Sequence, residues 1–157
     1  MKGSWRLGSV AGIDLKLHAT FPLILLLGAA QWMSPHGLPG AAFGALLMLA
    51  LFACVALHEL GHALAARGFG IPVREIVLLP IGGVAVLGRN PRRPLHELLI
   101  AVAGPLVNVA IAAGLVLALG LDGSFDPMEL FRASSERLST ATFLHWLLVA
   151  NVSLVAF

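Results

Sequence analysis

One pentapeptide in this chain has the residue types and spacing for hydrolytic chemistry: His58, Glu59, Leu60, Gly61 and His62. Side chains four residues apart lie on the same face of an α-helix, so the two imidazoles could bind one zinc ion. The glutamate between them could then act as a general base toward a water molecule. The motif therefore predicts one catalytic Zn²⁺, with His58 and His62 as ligands and Glu59 as the catalytic residue.

Composition indicates what surrounds the motif. Of the 157 residues, 59% are hydrophobic and 11% are charged, and the mean hydropathy is +0.93. These values are typical of an integral membrane protein rather than of a soluble domain. The net charge is only +2, and the sequence has no cluster of basic residues that would bind nucleic acid. No nucleic-acid partner is therefore expected. The single cysteine, Cys54, excludes an intrachain disulfide and a cysteine-based zinc cluster.

Hydropathy predicts about four membrane-spanning helices. The motif lies in the second of them, which follows a turn rich in proline and glycine at 35–40. The last helix is still apolar where the sequence ends, so we expect that helix to be incomplete. The predicted spans are 19–33, 40–68, 101–121 and a fourth that begins near 140.

Two other segments predict β-structure. Ile13, Leu15 and Leu17 alternate with polar residues, which indicates a short strand or an interfacial stretch before the first span. The apolar segment 71–88 is interrupted by prolines and glycines, and Gly82 and Gly83 within it predict a β-hairpin. The predicted fold is a membrane all-α bundle with a membrane-associated β-hairpin between the second and third helices. Residues 1–157 are expected to form a single core domain that is incomplete at its C-terminus.

Basic residues indicate the orientation in the membrane. Lys2, Arg6 and Lys16 precede the first span. Arg67 lies at the end of the second span, and four more arginines lie between that span and the third. By the positive-inside rule, the N-terminus and the hairpin are cytoplasmic. The two histidines and Asn108 then lie at similar depth, roughly 7–13 Å inside the bilayer at 1.5 Å per helical residue. There the amide of Asn108 could serve a reaction centre, or it could join two helices by a hydrogen bond.

A catalytic zinc takes three protein ligands, so the motif needs one more. Cys54 is roughly 12 Å from the second histidine along the helix axis, too far to share one ion. Asp122 and His145 are expected near the external side of the membrane, away from the motif. His96 and Glu97 are expected at the cytoplasmic rim, in contact with solvent or headgroups. None of these side chains is predicted to complete the site.

Several segments share their residue pattern with one known family: 12–21, 58–62, 79–84 (Leu-Pro-Ile-Gly-Gly-Val), 103–108 (Ala-Gly-Pro-Leu-Val-Asn) and Asn151. Together they resemble the site-2 protease family of intramembrane zinc metalloproteases, in particular its compact bacterial and archaeal branch. The resemblance implies that the third ligand is an aspartate of a later Leu-Asp-Gly-type motif, which we expect beyond Phe157. It also implies that Asn108 helps to stabilise the oxyanion, and that the hairpin at Gly82 and Gly83 offers an edge strand to an unwound substrate helix.

The expected function is that of an intramembrane zinc endopeptidase, which hydrolyses peptide bonds in or near transmembrane segments of membrane-anchored substrates. Its partners are then transmembrane proteins and the lipid bilayer, and it is a multi-pass protein of the cell membrane. Two alternatives remain open from the sequence. The chain could bind such substrates without cutting them, or it could be a transporter or channel in which His58 and Glu59 line an ion path. The sequence shows no internal repeat, which disfavours a transporter, and it does not indicate an oligomeric state.

Overall fold

The computed structural model describes residues 3–80, 82–91, 93–121 and 137–156. In this part of the chain, three α-helices accompany one four-stranded sheet. The helices contain most of the apolar residues, and the sheet lies at the end of the first helix. In chain order the elements are β1 (Ser4–Val10), β2 (Ile13–His18), α1 (Phe21–Gly68), β3 (Val73–Leu79), β4 (Gly82–Leu87), α2 (Pro94–Leu121) and α3 (Thr140–Val155).

Helix α1 folds back on itself at Gly37. This residue has φ 64° and ψ −149°, a conformation that only glycine adopts readily. The two halves of α1 run antiparallel, as two ring contacts between them show. The centroids of Phe21 and Phe52 are 4.7 Å apart, and those of Trp32 and Phe43 are 4.6 Å apart. The predicted turn at 35–40 is confirmed, although helical backbone continues up to Gly37 on both sides.

Two glycines allow the halves of α1 to approach closely. A methyl group built on Gly44 would stand 2.1 Å from the carbonyl oxygen of Gly28, closer than any non-bonded contact permits. Small residues serve the same purpose wherever helices associate in an apolar medium, since their backbones can then make van der Waals contact directly. The fold-back of α1 therefore depends on the absence of side chains at these positions.

The four strands pair in the order β1-β2-β3-β4. Strands β1 and β2 are antiparallel, β2 and β3 are parallel, and β3 and β4 are antiparallel. The predicted strand at 13–18 and the predicted hairpin are both confirmed. Strand β1 was not predicted, and its turn into β2 uses positive φ angles at Ala11 (50°) and Gly12 (75°), a feature of tight hairpin turns.

The all-α description is therefore wrong in one respect: the hairpin belongs to a mixed sheet that also includes the N-terminal strands. Gly82 and Gly83 open strand β4 instead of forming the turn, which follows Leu79. The pairing of β2 with β3 joins segments that precede and follow the whole of α1, so nothing local in the sequence indicates it. It brings the N-terminal strands and the hairpin together in one sheet.

An ion pair joins the two parallel strands. The ammonium group of Lys16 on β2 donates a hydrogen bond to the carboxylate of Glu75 on β3. This contact holds the pKa of Glu75 below its ordinary value. A carboxyl whose pKa is lowered stabilises the fold above its unfolded pKa, and that contribution is lost as the pH falls through the lowered value.

Two apolar clusters flank the motif. One lies beneath the sheet and includes Ile13, Ile76 and Ala63; the other lies among the helices and includes Trp32 and Cys54. Because Cys54 and Ala63 bracket the motif on α1, the histidines lie where the two clusters meet. The packing of helices and sheet therefore fixes this turn of α1 from both ends.

The outer surfaces of the helices suit a lipid environment. Within the described residues, α1 and α2 are long and apolar enough to cross a membrane, and α3 is apolar but shorter. Leu26, Leu106 and Leu117 face outward and are 66%, 60% and 64% exposed. Soluble proteins rarely expose apolar patches of this extent. The number of membrane crossings stays a prediction.

Substitution of Gly44 tests the fold-back of α1. We expect Gly44→Ala to destabilise the protein by about 1–3 kcal/mol, because an added methyl group must push the two halves apart. The measurement is thermal unfolding of the purified protein in detergent. Gly114→Ala is the matched control: it adds a methyl group to a helical glycine with open space around it. Equal melting temperatures for both variants would contradict the close approach.

Candidate active site

The two histidines of the motif converge at their Nε2 atoms. His58 is buried and His62 is half-buried on the same face of α1. Their ring centroids are 4.7 Å apart with an interplanar angle of 80°, and the two Nε2 atoms are 3.0 Å apart. The i, i+4 spacing therefore brings both imidazoles to one point, as the sequence predicts.

Nδ1 of His62 is hydrogen-bonded to a backbone carbonyl. This atom lies 2.7 Å from the carbonyl oxygen of Ile100 on α2. A carbonyl oxygen only accepts hydrogen bonds, so Nδ1 must carry the proton and donate it. The Nε2 atom of the neutral ring then carries the lone pair.

Nδ1 of His58 is hydrogen-bonded to a side-chain amide. This atom lies 2.6 Å from Oδ1 of Asn108 on α2, and Nδ2 of Asn108 donates to Oδ1 of Asn151 on α3 at 3.0 Å. Nδ2 of Asn151 donates to the carbonyl oxygen of Leu147 at 2.8 Å. The prediction that Asn108 lies level with the histidines is confirmed, and both ends of its amide are hydrogen-bonded.

The donor set fits a zinc ion. Two imidazoles, each donating Nδ1–H to an oxygen and directing Nε2 to one shared point, form the usual arrangement of histidine ligands with their outer partners. Two nitrogens bound to one tetrahedral zinc stand roughly 3.3 Å apart, close to the observed 3.0 Å. In the part of the chain that the structure describes, no third His, Cys, Asp or Glu completes a ligand group.

The other ligand candidates lie elsewhere. Cys54 is buried in the apolar helix cluster, and Nδ1 of His145 lies 2.9 Å from the carbonyl oxygen of Ala141 in its own helix. His96 stacks on Phe69, with ring centroids 4.2 Å apart. Glu97 is exposed in the first turn of α2, and Asp122 lies outside the described residues.

Strand β4 passes directly over Glu59. A methyl group built on Gly83 would stand 2.2 Å from Cγ and 3.1 Å from Oε1 of Glu59. The glutamate therefore lies between the histidine pair on α1 and the backbone of the hairpin. A strand residue with any side chain would take the space that the carboxylate occupies.

Helix α2 approaches the motif through glycine as well. A methyl group built on Gly104 would stand 2.2 Å from Nε2 of His62, and one built on Gly61 would stand 2.8 Å from the carbonyl oxygen of Ala103. These contacts bring the two helices close enough for the Ile100 carbonyl to reach His62. The segment 103–108 contributes to the family resemblance, but no role of Gly104 follows from the sequence, and nothing in the sequence singles out the carbonyl of Ile100.

Comparison with known proteins gives the family. The sequence profile of peptidase family M50 matches residues 46–157, which include the motif and the residues around it. The chain belongs to peptidase family M50. This is the family of the site-2 proteases, so the resemblance noted in the sequence is confirmed.

Curated relatives agree with this result. A zinc metalloprotease of Methanocaldococcus jannaschii is 40% identical over 119 residues, which cover 76% of this chain and 33% of that protein. Stage IV sporulation protein FB of Bacillus subtilis is 34% identical over 60% of this chain and 30% of its own length. The chain thus spans about a third of the length of the curated relatives it matches.

A solved structure supports the fold. The site-2 protease from Methanocaldococcus jannaschii superimposes with a TM-score of 0.66 at 33% sequence identity. The match covers 96% of this chain and 63% of that one. The mixed sheet and the helices described above therefore form a site-2-protease-like fold.

Gly104 offers a test of the site geometry. We expect Gly104→Ala to weaken zinc binding about tenfold or more, because the methyl group displaces the ring of His62. Zinc affinity of the purified full-length protein is measured by competition with a chelator. Gly114→Ala, on the same helix with no atom within 4 Å of the added methyl group, should leave the affinity unchanged. Unaltered zinc binding by Gly104→Ala would contradict this arrangement of α1 and α2.

Proposed function

We propose that this M50 chain is the core of an intramembrane zinc endopeptidase, which hydrolyses peptide bonds in or near transmembrane segments of membrane-anchored substrates. One observation carries the proposal: the Nε2 atoms of two histidines converge 3.0 Å apart on an apolar helix, beside a glutamate that lies under a strand. In this assignment His58 and His62 hold the ion. The third ligand that the family resemblance implies is an aspartate of a Leu-Asp-Gly-type motif.

The side chains divide the chemistry between them. Zinc, when bound, would polarise the scissile carbonyl and acidify a water molecule. Glu59 takes a proton from the attacking water and returns it to the leaving amine, as a general base and then a general acid. Its half-buried position against Gly83 keeps the carboxylate beside the imidazole pair. Burial of the site in apolar surroundings strengthens each of these electrostatic interactions.

Strand β4 suits recognition of an extended substrate. It is the last strand of the described sheet, and its second residue, Gly83, lies next to Glu59. A transmembrane helix must unwind before its peptide bonds become accessible, and pairing with a strand edge replaces part of the lost hydrogen bonding. We therefore propose that β4 binds the unwound substrate, and that substrates with helix-breaking residues are preferred.

The membrane arrangement follows the same reasoning. The fold-back of α1 at Gly37 supports two crossings, to which α2 and α3 add a third and a fourth. The sheet joins the basic N-terminal strands to the hairpin, and the positive-inside rule assigns this side to the cytoplasm. We propose a multi-pass protein of the cell membrane whose active site opens toward the cytoplasmic side.

Substitution of the glutamate separates catalysis from metal binding. Glu59→Gln should lower the cleavage rate of a model transmembrane substrate by about 10²–10⁴-fold, the usual contribution of a general base, while zinc content stays at the wild-type level. The control is Glu97→Gln, which removes the same charge from an exposed position of α2. Cleavage at the wild-type rate by Glu59→Gln would remove Glu59 from the mechanism. A wild-type protein that binds substrate but no zinc would instead be a non-catalytic binding protein.

A second prediction concerns the strand above the glutamate. Gly83→Ala should reduce cleavage at least tenfold without loss of zinc, because the new methyl group takes the place of the Glu59 side chain and the carboxylate must move. Steady-state cleavage and metal content are measured on the same preparations. Gly8→Ala serves as the control, since a methyl group on this strand glycine meets no atom within 4 Å. Full activity in Gly83→Ala would show that β4 does not position Glu59.

A further inference from the structure

We propose that Asn108 and Asn151 are positioning residues, which form a one-directional relay of amides that fixes the tautomer of the ligand His58. The relay starts at the backbone of α3, crosses α2 and ends at Nδ1 of the imidazole. The inference rests on the proposed function, since the tautomer matters because Nε2 is assigned as a zinc ligand. It gives Asn108 a role that differs from the predicted contact with the oxyanion.

The direction of the relay follows from its first member. The carbonyl oxygen of Leu147 can only accept, so Asn151 must present its NH₂ group there and its Oδ1 toward α2. Asn108 must then present its own NH₂ group to Asn151 and its Oδ1 to His58. The imidazole therefore meets an acceptor, which requires a proton on Nδ1 and leaves Nε2 as the nitrogen that can bind metal. A backbone carbonyl two side chains away thus determines which nitrogen can bind metal.

Burial keeps the relay from reversing. Asn108 and Asn151 are both 0% exposed, so water cannot take over a hydrogen bond when an amide turns. Rotation of either amide would place two donors or two acceptors face to face without solvent to relieve them. The three hydrogen bonds, at 2.6, 3.0 and 2.8 Å, therefore hold one orientation together.

The position of Asn108 separates this role from oxyanion stabilisation. Its amide contacts Nδ1, whereas the metal-binding atom Nε2 is on the opposite edge of the same ring. Oδ1 bonds the ring and Nδ2 bonds Asn151, so both ends of the amide are directed away from the point where the two Nε2 atoms converge. The second histidine needs no relay, because Ile100 offers its carbonyl directly.

The two roles make different demands on residue 108. A relay needs an acceptor facing His58, whereas an oxyanion needs a donor. Asn108→Asp keeps the acceptor in either protonation state, and a protonated carboxyl also keeps a donor toward Asn151. Asn108→Leu removes both. Asn151→Leu breaks the relay one step further away, and Ser153→Ala is the matched control. That serine lies on the same helix and donates to the carbonyl of Val149, but it does not contact the relay.

The experiment measures zinc affinity of the full-length protein by chelator competition. It also records the ¹⁵N NMR spectrum of protein that carries ¹⁵N-labelled histidine and has been treated with chelator. The signals of His58 are identified as those that are absent from the spectrum of the His58→Gln variant. We expect Asn108→Leu to bind zinc about 10–100-fold more weakly, the usual effect of removing an outer partner of a ligand. Asn151→Leu should lose less, about tenfold at most, while Asn108→Asp and Ser153→Ala stay near wild type. The nitrogen signals of His58 should shift toward the Nε2–H tautomer only in the two leucine variants.

The outcomes separate the inference from the proposed function. Wild-type zinc affinity and an unchanged His58 tautomer in both leucine variants would overturn the relay, as would an Asn108→Asp protein as weak in zinc binding as Asn108→Leu. Failure of the wild-type protein to bind zinc would overturn the proposed function itself. If Asn108→Leu does not fold, Asn151→Leu and Asn108→Asp decide the question by the same two measurements.

Discussion

The arrangement of this protein depends on the requirement that polar groups in an apolar interior be hydrogen-bonded. An unpaired buried group costs about 1–3 kcal/mol, and the motif brings two imidazoles and a carboxylate into such an interior. Each imidazole is hydrogen-bonded to an oxygen atom of α2. His62 bonds the backbone carbonyl of Ile100, and His58 bonds the side chain of Asn108. Helix α2 must lie close to α1 for these bonds to form, and Gly61 and Gly104 allow that approach.

The same requirement links the three helices and the sheet. Asn108 needs a partner for its NH₂ group, and α3 provides one in Asn151. Glu59 lies beneath Gly83, where the strand backbone leaves space for its side chain. The site is therefore shared among α1, α2, α3 and β4, although the motif itself occupies little more than one turn of one helix. Rigid positioning by several elements is what general-base chemistry at a metal requires.

Sequence reasoning succeeded where the determinants are local. The convergence of His58 and His62 follows from helix geometry alone, and the depth of Asn108 follows from counting residues along a span. It failed where contacts join distant segments. The pairing of β2 with β3 and the amide contact of Asn108 with Asn151 arise only when separate elements meet in space. Strand β1 was missed because its sequence lacks a clear alternation and its turn places a non-glycine residue, Ala11, at positive φ.

The parallel pairing of β2 with β3 constrains how the chain matures during synthesis. Lys16 and Glu75, whose side chains form the ion pair between the two strands, are 59 residues apart in sequence. Strand β2 leaves the ribosome well before its partner exists, and its edge stays unpaired until both halves of α1 have been made. Contacts between such distant segments form late, because the intervening chain must first be ordered. The sheet thus closes only after all of α1 has been made, so β4 covers Glu59 only once the surrounding helix exists.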